Sequence, residues 1–101
     1  MSPAFRIKVS SRAAAQIRKA AEWWSINRPF APGAVRADIG EALALLANQP
    51  GIGVPVPNTK TSGVRRLLVG RIRFYIDYRV TIDTVEVLAV WHASRGTGPS
   101  L

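Results

Sequence analysis

Six basic side chains fall between positions 60 and 79, namely Lys60, Arg65, Arg66, Arg71, Arg73 and Arg79, against one acid, Asp77. A single histidine, His92, follows near the end of the chain. Fixed guanidinium groups can stabilise charge building on a phosphorane. An imidazole near neutral pH can give or take the proton of a hydroxyl. Arg65, Arg66, Arg73 and Arg79 with His92 therefore form a set that could cleave RNA without a metal. The same residues could instead only bind, since guanidinium grips carboxylate and phosphate alike and is a poor proton shuttle. A lone histidine at a strand end is more often a structural hydrogen-bonding group than a catalyst. A solvated charged face mixes its signs more evenly than this segment does. We read the cluster as a binding surface made of Lys60, Arg65, Arg66, Arg71, Arg73, Tyr75, Arg79, His92 and Arg95.

The rest of the composition narrows the chemistry. The net charge of +8 on 101 residues favours a polyanionic partner, either nucleic acid or an acidic protein segment. There are no cysteines, which removes disulfides and thiolate metal sites. One histidine and six acids argue against a metal centre, and nothing calls for a cofactor. The start of the chain lacks a secretory apolar run, and the longest such run, Ala42 to Ala47, is too short to cross a bilayer. The expectation is a cytoplasmic protein with no membrane association. With 48% hydrophobic and 20% charged residues, the chain reads as one globular domain over 1–101, with a flexible tail over 96–101.

Phe5, Ile7 and Val9 alternate with Arg6, Lys8 and Ser10, the period of a strand with one buried face. Ser10 or Ser11 then suits a helix N-cap. Ile17, Ala20, Ala21 and Trp24 recur at helical spacing up to about Asn27, where Pro29 stops the helix. Trp23 falls at the flank of that stripe. After Pro32-Gly33, Val35, Ile39, Leu43 and Leu46 mark a second helix, with Asp38 and Glu41 off its buried side, and Gln49-Pro50-Gly51 ends it. Residues 50–63 form a long loop rich in proline and glycine. Three strands follow. Val64 to Val69 leads to a turn at Gly70. In 71–80, Ile72, Phe74, Ile76, Tyr78 and Val80 oppose Arg71, Arg73, Tyr75, Asp77 and Arg79. After a turn at Ile82-Asp83, Thr84 to His92 is apolar on both faces, with Val85, Val87, Ala89 and Trp91 opposite Leu88 and Val90, so it lies inside the sheet. The order is β-α-α-β-β-β: an α+β fold with a helical hairpin on one face of a four-stranded sheet. The other face is expected to display Arg6, Lys8, Arg71, Arg73, Tyr75 and Arg79.

This order of elements resembles the RelE/ParE toxin family over Phe5 to Gly96. The likeness rests on Glu41-Ala-Leu-Ala-Leu-Leu-Ala-Asn-Gln-Pro-Gly-Ile-Gly53 and Gly63-Val-Arg-Arg-Leu-Leu-Val-Gly-Arg71. It rests also on Tyr78-Arg-Val80, Val85-Glu-Val-Leu88 and Val90-Trp-His-Ala-Ser-Arg-Gly96. The resemblance implies a mostly antiparallel sheet of strand order 1-4-3-2. It implies a growth-inhibiting toxin held in a hetero-oligomer by a cognate antitoxin, whose acidic, disordered C-terminal segment folds on binding. ParE-like members inhibit DNA gyrase, and RelE-like members cleave messenger RNA on the ribosome. The chain departs from the RelE pattern where lysines would fall, around Arg65 to Leu67, and in having no tyrosine beyond Arg95. Arg73 also stands two residues before the position the family's Arg-x-x-Tyr-Arg-Val would give its first arginine. The ParE-like reading is therefore preferred. The alternatives are a RelE-type endoribonuclease using Arg66, Arg73, Arg79 and His92, and a non-toxic module that binds a partner.

Overall fold

The computed structural model describes residues 4–96 and 98–101. Strand β1 (Arg6–Val9) turns Ile7 and Val9 inward, and Ser10 then caps helix α1 (Ser11–Asn27). The Ser10 hydroxyl accepts from the Ala13 amide at 3.0 Å, satisfying an N–H that has no partner within the first turn. Helix α1 stops at Arg28, before Pro29, and helix α2 (Ala34–Asn48) runs back beside it. Val35, Ile39 and Leu46 are buried and Leu43 packs against the same core, as their spacing predicts. None of the described helices is long and apolar enough to cross a membrane.

The sheet order is β1-β5-β4-β3-β2, where β3 is Val64–Val69, β4 is Phe74–Val80 and β5 is Thr84–His92. The expected four strands stand in the expected order. A fifth, β2 (Val54–Pro55), adds to the outer edge of β3 from inside the long loop. Strand β1 pairs in parallel with β5, and every other pairing is antiparallel. Both helices lie on one face, over a core of Val35, Ile39, Leu46, Ile72, Ile76, Tyr78, Val85, Val87 and Val90.

Two departures from simple alternation decide where the functional side chains point. In β5, Asp77 pairs with Ala89 and Tyr78 with Val87, so Leu88 is an extra residue, a β-bulge. Val87 and Val90 thus share the helix-side core, whereas Ala89 and Trp91 turn to the open face and His92 turns back to the helices. Helix α1 stabilises the bulge: Ser10 Oγ donates to the Leu88 carbonyl at 3.2 Å, and the Val90 N–H donates to Gln16 Oε1 at 2.8 Å.

The second departure is the hairpin between β3 and β4, where the turn runs from Gly70 to Arg73 and strand β4 starts only at Phe74. Arg73 sits at φ 58°, in the left-handed region, and its N–H donates to the Val69 carbonyl at 2.9 Å. Arg71 is consequently not on the open face. Its guanidinium forms a two-point ion pair with Asp38 of α2, at 2.8 and 2.6 Å. Asp38, expected off the buried side of its helix, is only 8% exposed.

The end of the chain, for which the sequence suggests a flexible tail over 96–101, also bears on the open face. Residues 98–101 lie against the open face, with the Thr61 N–H donating to the Leu101 carbonyl at 3.0 Å and Arg12 Nη1 to the Ser100 carbonyl at 2.9 Å. Thr97 lies outside the described residues. The tail finds there what the strands leave uncovered, the edges of Trp91 and Arg66: a Cβ on Gly98 would come within 2.8 Å of the Trp91 ring.

Candidate functional site

The open face centres on Asp77, whose side chain is fully buried although it points away from the helices. Three donors hold its carboxylate: Arg66 Nε at 2.6 Å, Arg66 Nη2 at 3.2 Å and Trp91 Nε1 at 2.8 Å. The Arg66 guanidinium also lies 5.4 Å from the Tyr75 ring centre and 4.7 Å from that of Trp91, and the two rings pack at 4.9 Å. Two residues along β4, Arg79 pairs with Glu86 of β5 at 3.2 Å. Arg66 and Arg79 are thus each met by a carboxylate, whereas Arg6 and Lys8 stay exposed on the outward side of β1. Lys60 stands at the rim, in a recess with Arg66 and the 98–101 segment.

The helix side holds a different arrangement. Beyond Val9 strand β1 has ended, and a groove of ≈ 610 Å³ opens between α1 and the ends of β4 and β5. Its apolar parts come from Ala20, Trp23, Phe74 and Val90; Lys19, Arg28, His92 and Arg95 stand around them, and among the described residues no carboxylate lines it. His92 meets Phe74 edge to face at 5.1 Å. Its Nδ1 lies 2.6 Å from Ser94 Oγ and accepts from the Ser94 N–H at 3.1 Å, so it caps the 3₁₀ turn Ala93–Arg95. Arg28 lies 5.5 Å from the Trp23 ring and 5.8 Å from that of Trp24.

A third cluster anchors the long loop. Tyr78 is fully buried on the helix side; its hydroxyl donates to the Pro50 carbonyl at 2.7 Å and accepts from the Gly53 N–H at 2.9 Å. Arg65 Nη1 donates to the Gly53 carbonyl at 2.7 Å. Burial raises the pKa of Tyr78 above the ordinary tyrosine value, opposed by the Gly53 hydrogen bond and the charge of Arg65.

With this geometry in view, comparison with known proteins is decisive. The family model described as "ParE toxin of type II toxin-antitoxin system, parDE" matches residues 7–96. The chain belongs to the ParE toxin family. A solved chromosomal ParDE toxin–antitoxin system from P. aeruginosa superposes with a TM-score of 0.71 at 25% identity, covering 90% of this chain and 98% of that one. A chain of the RelBE2 toxin–antitoxin complex from Mycobacterium tuberculosis superposes with a TM-score of 0.64 at 20% identity, covering 88% and 98%. No curated protein matches. The protein is therefore a ParE-family toxin of a type II toxin–antitoxin system, with a RelE/ParE-like fold.

Within this ParE-family chain the expected site residues divide among several places. Arg66, Tyr75 and Arg79 share the open face, with Lys60 at its rim. Arg65 and Arg71 serve the helix side, and Arg73 occupies the hairpin turn. His92 and Arg95 line the groove on the other face from Arg66. Trp91, in phase with an apparent core stripe, is buried instead in the arginine cluster of the open face. Sequence reasoning overlooked Asp77 as the anchor of that cluster, though a single acid among outward-facing arginines is a usable signal. It also overlooked Gln16, Lys19 and Arg28, which carry no local pattern that separates them from ordinary surface residues.

Proposed function

We propose that this toxin inhibits growth by acting on DNA gyrase rather than by cutting RNA, and that a cognate antitoxin neutralises it. The observation that carries this reading is the division of the RNA-cleaving set. Arg66 and Arg79 are engaged by Asp77 and Glu86, and His92 stands on the opposite face, held by Ser94. Metal-free cleavage needs the proton donor and the phosphate-binding cations around one phosphorus atom. Arg65 is engaged by the Gly53 carbonyl, and Arg73, exposed in the hairpin turn, has no carboxylate partner among the described residues.

An antitoxin partner is supported by the solved relatives, both of them toxin–antitoxin systems, and by the net charge of +8. An acidic segment that is disordered when free and folds over the toxin suits such a surface. Lys60, Arg71, Arg73, Arg79 and Arg95 are the cations of the expected binding set that remain at or near the surface, Arg71 and Arg79 within ion pairs. The complex is a hetero-oligomer that works in the cytoplasm.

Induction of the chain without its antitoxin tests the reading. A gyrase poison raises the DNA-damage response and causes filamentation while amino-acid incorporation continues. Arrest of protein synthesis within minutes, with cuts at codon-spaced positions in messenger RNA, would instead establish the ribosome as target. Unimpaired growth would make the chain a partner-binding module.

A further inference from the structure

The two faces differ in whether their cations are available. On the open face the arginines near the sheet centre are paired, whereas around the groove between α1 and the end of β5 none of Lys19, Arg28 or Arg95 is in an ion pair among the described residues. The groove also presents flat rings. Trp23 is 52% exposed on one wall, with Phe74 and His92 together on the other. Arg28 is held over the Trp23 ring, so one cation is positioned before any ligand arrives.

We propose that this groove binds single-stranded nucleic acid, a base stacking against Trp23 and the Phe74–His92 pair while Lys19, Arg28 and Arg95 neutralise the adjoining phosphates. Exposed rings beside unpaired cations are the elements from which sequence-tolerant single-strand sites are built. An extended acidic peptide fits the charge but not the wall. A peptide adding to β5 would need its edge groups, and there the Val90 N–H is taken by Gln16 and the Leu88 carbonyl by Ser10. What the wall leaves open is rings and cations. The site lies on the face opposite Arg66 and Arg79 and is independent of the gyrase reading.

The test is fluorescence anisotropy of a short labelled oligothymidylate with the full-length toxin, across a salt series. The expected result is saturable binding whose log K falls against log salt with a slope of about −2, as three single-strand phosphate contacts require. Trp23→Ala lowers affinity about tenfold or more by removing the stacking platform. Lys19→Ala weakens binding and flattens the slope by about 0.7. Arg36→Ala, which removes an equal charge from an exposed position on α2 outside the groove, leaves binding unchanged. Matching thermal melts establish that the Trp23 variant folds. The proposal is overturned if the oligonucleotide does not bind, if the Arg36 and Lys19 variants weaken binding equally, or if polyglutamate quenches Trp23 while the oligonucleotide does not.

Discussion

The open face of the sheet and the groove beside α1 are both basic in sequence, yet they use their charge in opposite ways. On the open face Arg66 is spent on Asp77, a carboxylate with no exposure, and is roofed by Tyr75, Trp91 and the 98–101 segment. Around the groove the cations stand beside exposed rings, with no acid lining it among the described residues. The count of arginines therefore does not measure how many can meet a partner. A cation inside an ion pair organises the protein, and one without a pair is available for recognition.

The largest effect should come from the buried pair. Arg66→Ala leaves the Asp77 carboxylate with one donor from Trp91 and no counter-charge, and should cost about 3–5 kcal/mol in urea unfolding. Arg79→Ala, in a pair whose side chains are 39% and 24% exposed, should cost about 1 kcal/mol or less. Equal losses for the two would break the distinction between a structural and a surface arginine.

Tyr78→Phe comes next. It leaves the Pro50 carbonyl and Gly53 N–H without their shared partner, at about 1–3 kcal/mol. The same residue sets an alkaline limit. Its folded pKa is raised, so its contribution is whole below the ordinary tyrosine value near 10 and is lost as pH rises through the higher folded value. The Phe variant should lose less stability than the wild type between neutral and strongly alkaline pH in paired thermal melts.

Smallest are the groove variants. Trp23→Ala and Lys19→Ala remove exposed groups and should shift unfolding by no more than about 0.5 kcal/mol, while changing ligand affinity far more. A large stability loss at Lys19 would show that the groove's cations, too, are structural.

The elements and their order were legible because periodicity reports burial. Ile7 and Val9 on β1, the Val35–Leu46 stripe on α2, and Phe74, Ile76 and Tyr78 on β4 all lie on the predicted side. The site was less legible, for physical reasons at particular residues. In β5 both faces are apolar, so nothing in the pattern marks the extra residue at Leu88, and the phase of Trp91 and His92 is inverted beyond it. Alternation in 71–80 continues smoothly into what is a turn, so the pattern assigns Arg71 and Arg73 to a strand that starts only at Phe74. The partnership of Arg71 with Asp38 spans 33 residues of chain, and only the tertiary fold brings them together.

The central claim is that the toxin acts by binding gyrase and not by cleaving RNA, and a supercoiling assay tests it most directly. Purified gyrase is titrated with refolded, antitoxin-free toxin at fixed physiological salt, and relaxed, supercoiled and cleaved plasmid are quantified. The account predicts loss of supercoiling with accumulation of cleaved DNA, reversed by adding the antitoxin. Full supercoiling at toxin concentrations that still arrest growth would contradict it and turn attention to the ribosome.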